Sequence, residues 1–228
     1  MNHKYIRISS IRALFALLLM TVLLVVAGAV SAEGAPTPTF DNLVPVEDPK
    51  MAVAYIDPDA DFSVFKRVAI LDPMVAFRSN WQRDQNRSRS SNVRASDMER
   101  IKADVAALFE QVFTERLEAA GYEVVDVAGD DVMVLAPAII DLDVTAPDVR
   151  GAGRSHSVTA STGAATLYIQ LFDSVTGDII GRAADRQTAG RAGGTLMWSN
   201  SVTNTSDARR MIAGWADTLV AFLQEHYK

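Results

Sequence analysis

Ile101, Val105, Leu108, Phe109, Val112, Phe113 and Leu117 recur at spacings of three and four residues. A 3.6-residue period gathers them into one apolar stripe, so the segment is a helix that must cover something with one face and meet water with the other. Ahead of it, Ser96-Asp97-Met98-Glu99 reads as a capping box, with the Ser96 oxygen accepting an orphan backbone N–H and Glu99 reaching back. Behind it, Gly121 offers the left-handed residue that ends helices. A second stripe, Met211, Ile212, Trp215, Leu219, Phe222 and Leu223, predicts another amphipathic helix near the C-terminus. Neither helix is apolar all round, so both need a broad apolar surface to lie on.

Strand-like runs between and before the helices supply that surface. "FKRVAILDPMVAF", Phe65 to Phe77, is rich in β-branched and aromatic residues and reads as a largely buried strand. "YEVVDV" and "DVMVLAPAIIDLDVTAP" read as two more, separated by the turn Gly129-Asp130-Asp131. Leu167, Ile169 and Leu171 then alternate with Tyr168, Gln170 and Phe172, and a strand resumes at Ile179 and Ile180. Between these two strands Ser174-Val175-Thr176-Gly177 suits a type I turn with glycine in the left-handed position, and Asp173 is placed to accept turn amides. A calcium loop needs carboxylates at several alternate positions, and only Asp173 and Asp178 are charged here. The expected order is β-α-β-β-β-β-α. It implies an α+β fold of two layers, a mixed and mainly antiparallel sheet with two amphipathic helices on one face.

The N-terminal segment addresses compartment. Lys4, Arg7 and Arg12 precede an uncharged run from Ala13 that closes on Val30-Ser31-Ala32. This pattern predicts a signal peptide over residues 1–32, cleaved after Ala32, and hence a periplasmic or otherwise exported protein. The competing reading is an uncleaved anchor, since Ala13 to Ala32 approaches the ~20 residues that cross a bilayer; attachment to a membrane is expected only in that case. Residues 33–62 carry Pro36, Pro38, Pro45, Pro49 and Pro58 and read as an extended tether, followed by a single domain over 63–228. The chain has no cysteine, which excludes disulfides, thiol nucleophiles and thiolate metal sites. Its net charge of −6 excludes a global nucleic-acid footprint, and no nucleic-acid partner is expected.

Candidate chemical groups do not converge. Asp141 and Asp143 stand two apart on a strand and read as a solvated face, with Ile140, Leu142 and Val144 on the other. His3, His156 and His226 show no ligand spacing. Ser63-Val64-Phe65-Lys66 has the Ser-x-x-Lys spacing of serine acyl-enzymes but enters a strand, where that motif needs a helical turn. The glycine-rich "RGAGRS" and "GRAGGT" lack the strand-loop-helix setting and the lysine of a phosphate loop. Trp215 falls on the apolar stripe and reads as a core anchor. No catalytic, metal or cofactor residue is therefore assigned, and no cofactor is expected. The remaining feature is "FRSNWQRDQNRSRSSNVR", Phe77 to Arg94, polar and without periodicity, which reads as a long loop. It gathers Arg78, Arg83, Arg87, Arg89 and Arg94 about Trp81 with only Asp84 to offset them. Guanidinium groups with an indole suit an anionic envelope component or an acidic protein face, and the loop is the expected contact surface.

"AYIDPDADFSVFKRVAILDPMVAF", Trp81, "FDSVTGDIIGRAADRQ" and "NSVTNTSDARRMIAGWADTLVAFL" follow one another from Ala54 to Leu223. In this order they resemble the exported bacterial family numbered 3313 among domains of unknown function. The resemblance implies an envelope location, since many members are regarded as lipoproteins. This chain departs from them in lacking the lipobox cysteine, so lipid anchoring does not carry over, and the family supplies no catalytic residues to transfer. The expectation is a non-enzymatic envelope protein that binds a partner or an anionic component. The alternatives are a domain holding a small apolar molecule or lipid between helix and sheet, or a hydrolase assembled from distant residues such as Ser155, His156 and Asp141.

Overall fold

The computed structural model describes residues 42–87, 92–144, 157–159, 163–189, 197–199 and 201–226. The signal segment and its cleavage site lie outside these residues, as do Ser155 and His156. In chain order the elements are β1 (Val44–Pro45), β2 (Val53–Ile56), a 3-10 turn (Phe62–Val64), β3 (Arg67–Ile70), β4 (Met74–Phe77), α1 (Trp81–Arg87) and α2 (Ala95–Ala119). They continue with β5 (Glu123–Val124), β6 (Val132–Val144), β7 (Ser157–Thr159), β8 (Gly163–Asp173), β9 (Ile179–Ala189), β10 (Met197–Ser199) and α3 (Ser201–Glu225).

Eight strands form one open sheet in the order β1-β2-β9-β8-β6-β3-β5, with β4 also on β6. The pairs from β1 to β6 are antiparallel, whereas β3 and β4 run parallel to β6 and β5 parallel to β3. The fold is α+β with a mixed sheet. A separate ribbon pairs β7 with β10.

The stripes of α2 and α3 bury Phe109, Val112, Phe113 and Leu117 with Ile212, Trp215, Leu219 and Leu223 over Met133, Leu135, Ile139, Leu167 and Ile169 of the sheet. Two ion pairs, Arg209–Glu115 at 2.5 Å and Arg116–Asp217 at 3.4 Å, link the helices along their outer edge. A smaller cluster of Ala69, Leu71, Val132, Val134, Ala136 and Phe172 occupies the opposite sheet face. That is why the first half of β6 is apolar at every position rather than at alternate ones.

Several boundaries differ from the expectations. The single strand expected over Phe65–Phe77 is two strands, because Pro73 has no N–H to give the ladder: the chain leaves β6 after Leu71 N–H bonds Leu135 O at 2.9 Å and rejoins it at Met74 opposite Ala138. The long loop expected after Phe77 contains α1. Residues expected as a tether supply β1 and β2, and β2 pairs with β9 from Val53 to Ile56. Helix α2 begins after Arg94 rather than Ser96: the Asp97 carboxylate, not Glu99, reaches back to accept the Arg94 N–H at 2.9 Å. At its other end Gly121 has φ 95°, and the pair Gly121 N–H to Glu118 O (3.0 Å) and Tyr122 N–H to Leu117 O (3.0 Å) closes a Schellman motif.

The β8–β9 connection is a turn, as expected. Gly177 has φ 76° and donates to Asp173 O at 3.0 Å, while the Asp173 carboxylate accepts Val175 N–H at 2.7 Å and Thr176 N–H at 2.9 Å. Nothing lies within 4 Å of a Cβ built at Gly177, so the backbone alone sets the requirement for glycine. Gly177→Val should therefore cost about 1–2 kcal/mol through positive φ, with Asp173→Ala costing about 1 or less, both read by urea denaturation.

Arg67 at the start of β3 grips Asp131 in the turn just ahead of β6, its Nε 2.9 Å from Oδ2. Hydrogen bonding from Arg67 holds the Asp131 carboxyl below its ordinary value, and Arg78 does the same for Asp84. A carboxylate whose folded pKa is depressed contributes stability that is fully present above its unfolded value of ~3.9 and is lost as pH falls through the folded value. Unfolding midpoints should show no contribution to their pH dependence from these groups between neutral and about pH 5, and should decline below about pH 4. Asp131→Asn should make that decline shallower.

Candidate functional site

The sheet half under the N-terminal part of α3 is filled by Leu135, Ile139 and Leu167 against Ile212 and Trp215. Under its C-terminal part the facing side chains shrink. Register places Ala54 opposite Ala183 and Ile56 opposite Gly181 across β2 and β9. Gly181 and Ala183 in turn stand opposite Leu171 and Ile169 of β8. The residues that could fill the space are two alanines and a glycine, and the result is a cleft of about 540 Å³. That is within the ~300–1,000 Å³ common for small-molecule sites.

Three sides bound the cleft. Ala54, Ile56, Ile169, Leu171, Gly181 and Ala183 make an apolar floor; Thr218, Leu219, Phe222, Glu225 and His226 make the helix wall; the loop from Pro45 to Met51 makes the other. Phe222 is fixed edge-on by Phe62, centroids 5.6 Å apart at 87°. The His226 ring lies over it at 4.2 Å, with Nδ1 2.9 Å from the Phe222 carbonyl oxygen. Thr218 Oγ1 donates to Gly214 O at 2.9 Å, which gives the hydroxyl an acceptor within the helix. Arg182 also borders the cleft, yet pleating sends its side chain to the other sheet face with its register partner Gln170. There, with the Gln170 amide oxygen turned toward it, the guanidinium donates at 3.2 and 3.3 Å.

Behind the cleft, Asp185 anchors three elements. Its carboxylate accepts Trp215 Nε1–H of α3 at 2.8 Å, Ala52 N–H ahead of β2 at 3.2 Å and Gln187 Nε2–H at 3.0 Å. Trp215, only 1% exposed, is the core anchor its place on the stripe suggested.

The arginine-rich segment is arranged differently from the expected contact surface. Trp81 is 1% exposed, stacks on Phe77 with centroids 4.0 Å apart and donates Nε1–H to Val144 O at 2.8 Å. An indole so enclosed presents no face to a partner. Arg78 is committed inward, Nη1 to Asp84 Oδ2 at 2.8 Å and Nε to Asp143 Oδ2 at 2.8 Å. Arg83, Arg87 and Arg94 face solvent, Arg83 beside Asp84 at 3.5 Å, and Arg89 lies outside the described residues. The chain returns from α1 through buried Val93, whose N–H bonds Asn86 Oδ1 at 2.7 Å and whose carbonyl accepts Gln82 Nε2–H at 2.9 Å.

The other candidates also resolve locally. Asp141 and Asp143 do not share a simple strand face: Asp141 has φ 52° at a bulge in the β6–β8 register, and Ile139 and Leu142 both reach the main core. Asp141 lies 4.0 Å from Arg186 and Asp143 pairs with Arg78. Ser63 donates its hydroxyl to Asp61 at 2.6 Å, while Lys66 Nζ donates to the Ser63 carbonyl at 2.9 Å. Among the described residues no cluster of three or more metal-ligating side chains occurs. Nor does any described helix have the length and apolarity to cross a membrane.

No composition or spacing signal had marked the cleft. Its residues come from four separate segments, and the only local trace is the run of small residues Gly181, Ala183 and Ala184 in an otherwise substantial strand.

Comparison with curated proteins gave no match. Among solved structures, a PelC dodecamer from Paraburkholderia phytofirmans aligns at 14% identity and TM-score 0.37, over 70% of this chain and 91% of that one. A neuraminyllactose-binding hemagglutinin homolog from Helicobacter pylori aligns at 11% and 0.36, over 71% and 87%. A DUF4136 family protein from Bacteroides thetaiotaomicron aligns at 14% and 0.32, over 78% and 98%. At such scores these likenesses transfer no function. A family model described as "Protein of unknown function (DUF3313)" matches residues 32–219, most of the chain, and the protein belongs to that family.

Proposed function

We propose that this is an exported, non-enzymatic binding protein of the cell envelope, and that the cleft between α3 and the β2–β9–β8 half of the sheet takes the apolar body of a small amphiphilic molecule. The observation that carries the reading is the unfilled 540 Å³ over an apolar floor, with Glu47, Asp48, Lys50 and Glu225 of its lining exposed to solvent. A core that needed only stability would fill such a space with larger side chains, because unfilled apolar volume costs contacts. Dimensions agree with a single chain or small ring system. Three strands about 4.8 Å apart give a floor roughly 10 Å wide, and the eight-residue rise from Thr218 to His226 gives a wall of roughly 12 Å. Export rests on the basic, apolar and small-residue pattern ending at Ala32.

The test is a titration of the purified protein with N-phenyl-1-naphthylamine, a neutral dye that brightens in apolar surroundings. Saturable 1:1 binding is expected at micromolar concentrations for the native chain. Ala183→Phe, which puts a ring into the floor, should abolish it while leaving the thermal midpoint within a few degrees. A variant that folds and still binds the dye as the native chain does would overturn the reading, as would the lack of saturable binding by the native chain.

A further inference from the structure

We infer that the amphiphile carries a cationic head, an amine or quaternary ammonium group, held at the mouth of the cleft. The inference rests on the cleft being a binding site and adds the chemical class of its ligand. Among the described residues the mouth presents three carboxylates, Glu47 and Asp48 on the loop and Glu225 on the helix, against one ammonium, Lys50. Of the other basic residues bordering the space, His226 turns its Nδ1 to the Phe222 carbonyl oxygen, and Arg182 is directed to the opposite sheet face and engaged with Gln170.

The backbone adds to the same sign. Helix α3 ends at Glu225 and its last turn contains no basic residue; His226, just beyond, meets the Phe222 carbonyl oxygen through Nδ1 at 2.9 Å, so among the described residues no lysine or arginine offsets the partial negative charge of the other final carbonyls. Carboxylates and helix terminus come from two separate segments and both favour positive charge at the point where an apolar body, seated on Ala54, Gly181 and Ala183, would emerge. An anionic head placed there would meet repulsion from each of them.

Competition for the bound dye separates this inference from the one beneath it. Dodecyltrimethylammonium and dodecanoate have the same chain length and opposite heads, and both are used below their micelle concentrations. The cationic competitor is expected to displace the dye at about tenfold lower concentration, a preference that several partly screened charges can together supply. The preference should shrink as salt rises. In the triple variant Glu47→Gln, Asp48→Asn, Glu225→Gln the ratio between the two competitors should fall to about twofold or less, each competitor being measured against that variant's own dye affinity. Asparagine tolerates the positive φ of 51° at position 48, and Glu225→Gln alone serves as a milder second variant. Normal dye binding with equal or stronger displacement by dodecanoate overturns the cationic head and leaves the cleft reading standing. So does a preference that the folded triple variant retains. Failure of the dye itself to bind overturns both.

Discussion

Trp81→Ala is expected to lower stability by about 3–5 kcal/mol, the range for removing a large buried aromatic side chain. The residue is enclosed, stacked on Phe77 and hydrogen-bonded to Val144 O. Truncation opens a cavity where α1 meets the last residues of β6 and leaves the Val144 carbonyl without its donor. Trp81→Phe separates the two contributions: it keeps most of the packing and loses the hydrogen bond, so about 1–2 kcal/mol is expected. Urea denaturation of the two variants measures both. An alanine variant indistinguishable from the native chain would mean that the indole is on the surface after all, and would restore the segment as a contact face.

Asp185→Ala should have the second largest effect, about 2 kcal/mol, because it leaves Trp215 Nε1–H, on a side chain shut away from water, without its acceptor, and also frees Gln187 Nε2–H and Ala52 N–H, the last of which solvent can reach. Asp185→Asn keeps an acceptor oxygen and should cost about 1 kcal/mol. The damage should also be local in a recognisable way. Asp185 ties the entrance of β2 to β9 and to α3, so amide exchange in Val53–Ile56 should accelerate in the alanine variant before exchange in β6 or β8 does. As β2 carries Ala54 and Ile56 of the cleft floor, dye affinity should fall with it. Exchange in β2 unchanged from the native chain would show that Asp185 is not the tie.

Glu115 and Arg209 show how little can be read from exposed pairs by comparison. Hydrogen bonding from Arg209 holds the Glu115 carboxyl below its ordinary value, yet both side chains remain about half exposed, and solvent screens what the geometry suggests. The large effects lie instead where a donor or acceptor has no water to turn to.

Periodicity alone determined much of this protein. The stripe from Ile101 to Leu117, the stripe from Met211 to Leu223, and the alternation of Leu167, Ile169 and Leu171 are local patterns whose faces must be buried whatever they pack on, and each forms the element it predicted. The turn at Gly177 and the stop at Gly121 were equally local, since only positive φ was at stake. What the sequence left open depended on partners distant in the chain. Trp81 sits in a polar stretch whose composition says loop, and becomes a core residue because Phe77 and Val144 meet it from β4 and β6. Asp141 and Asp143 lose their common face to a bulge that only the β6–β8 register imposes. The cleft has no local pattern at all: it is a volume left between small residues on β2 and β9 and the end of α3, and volume is decided by which side chains face one another across the fold.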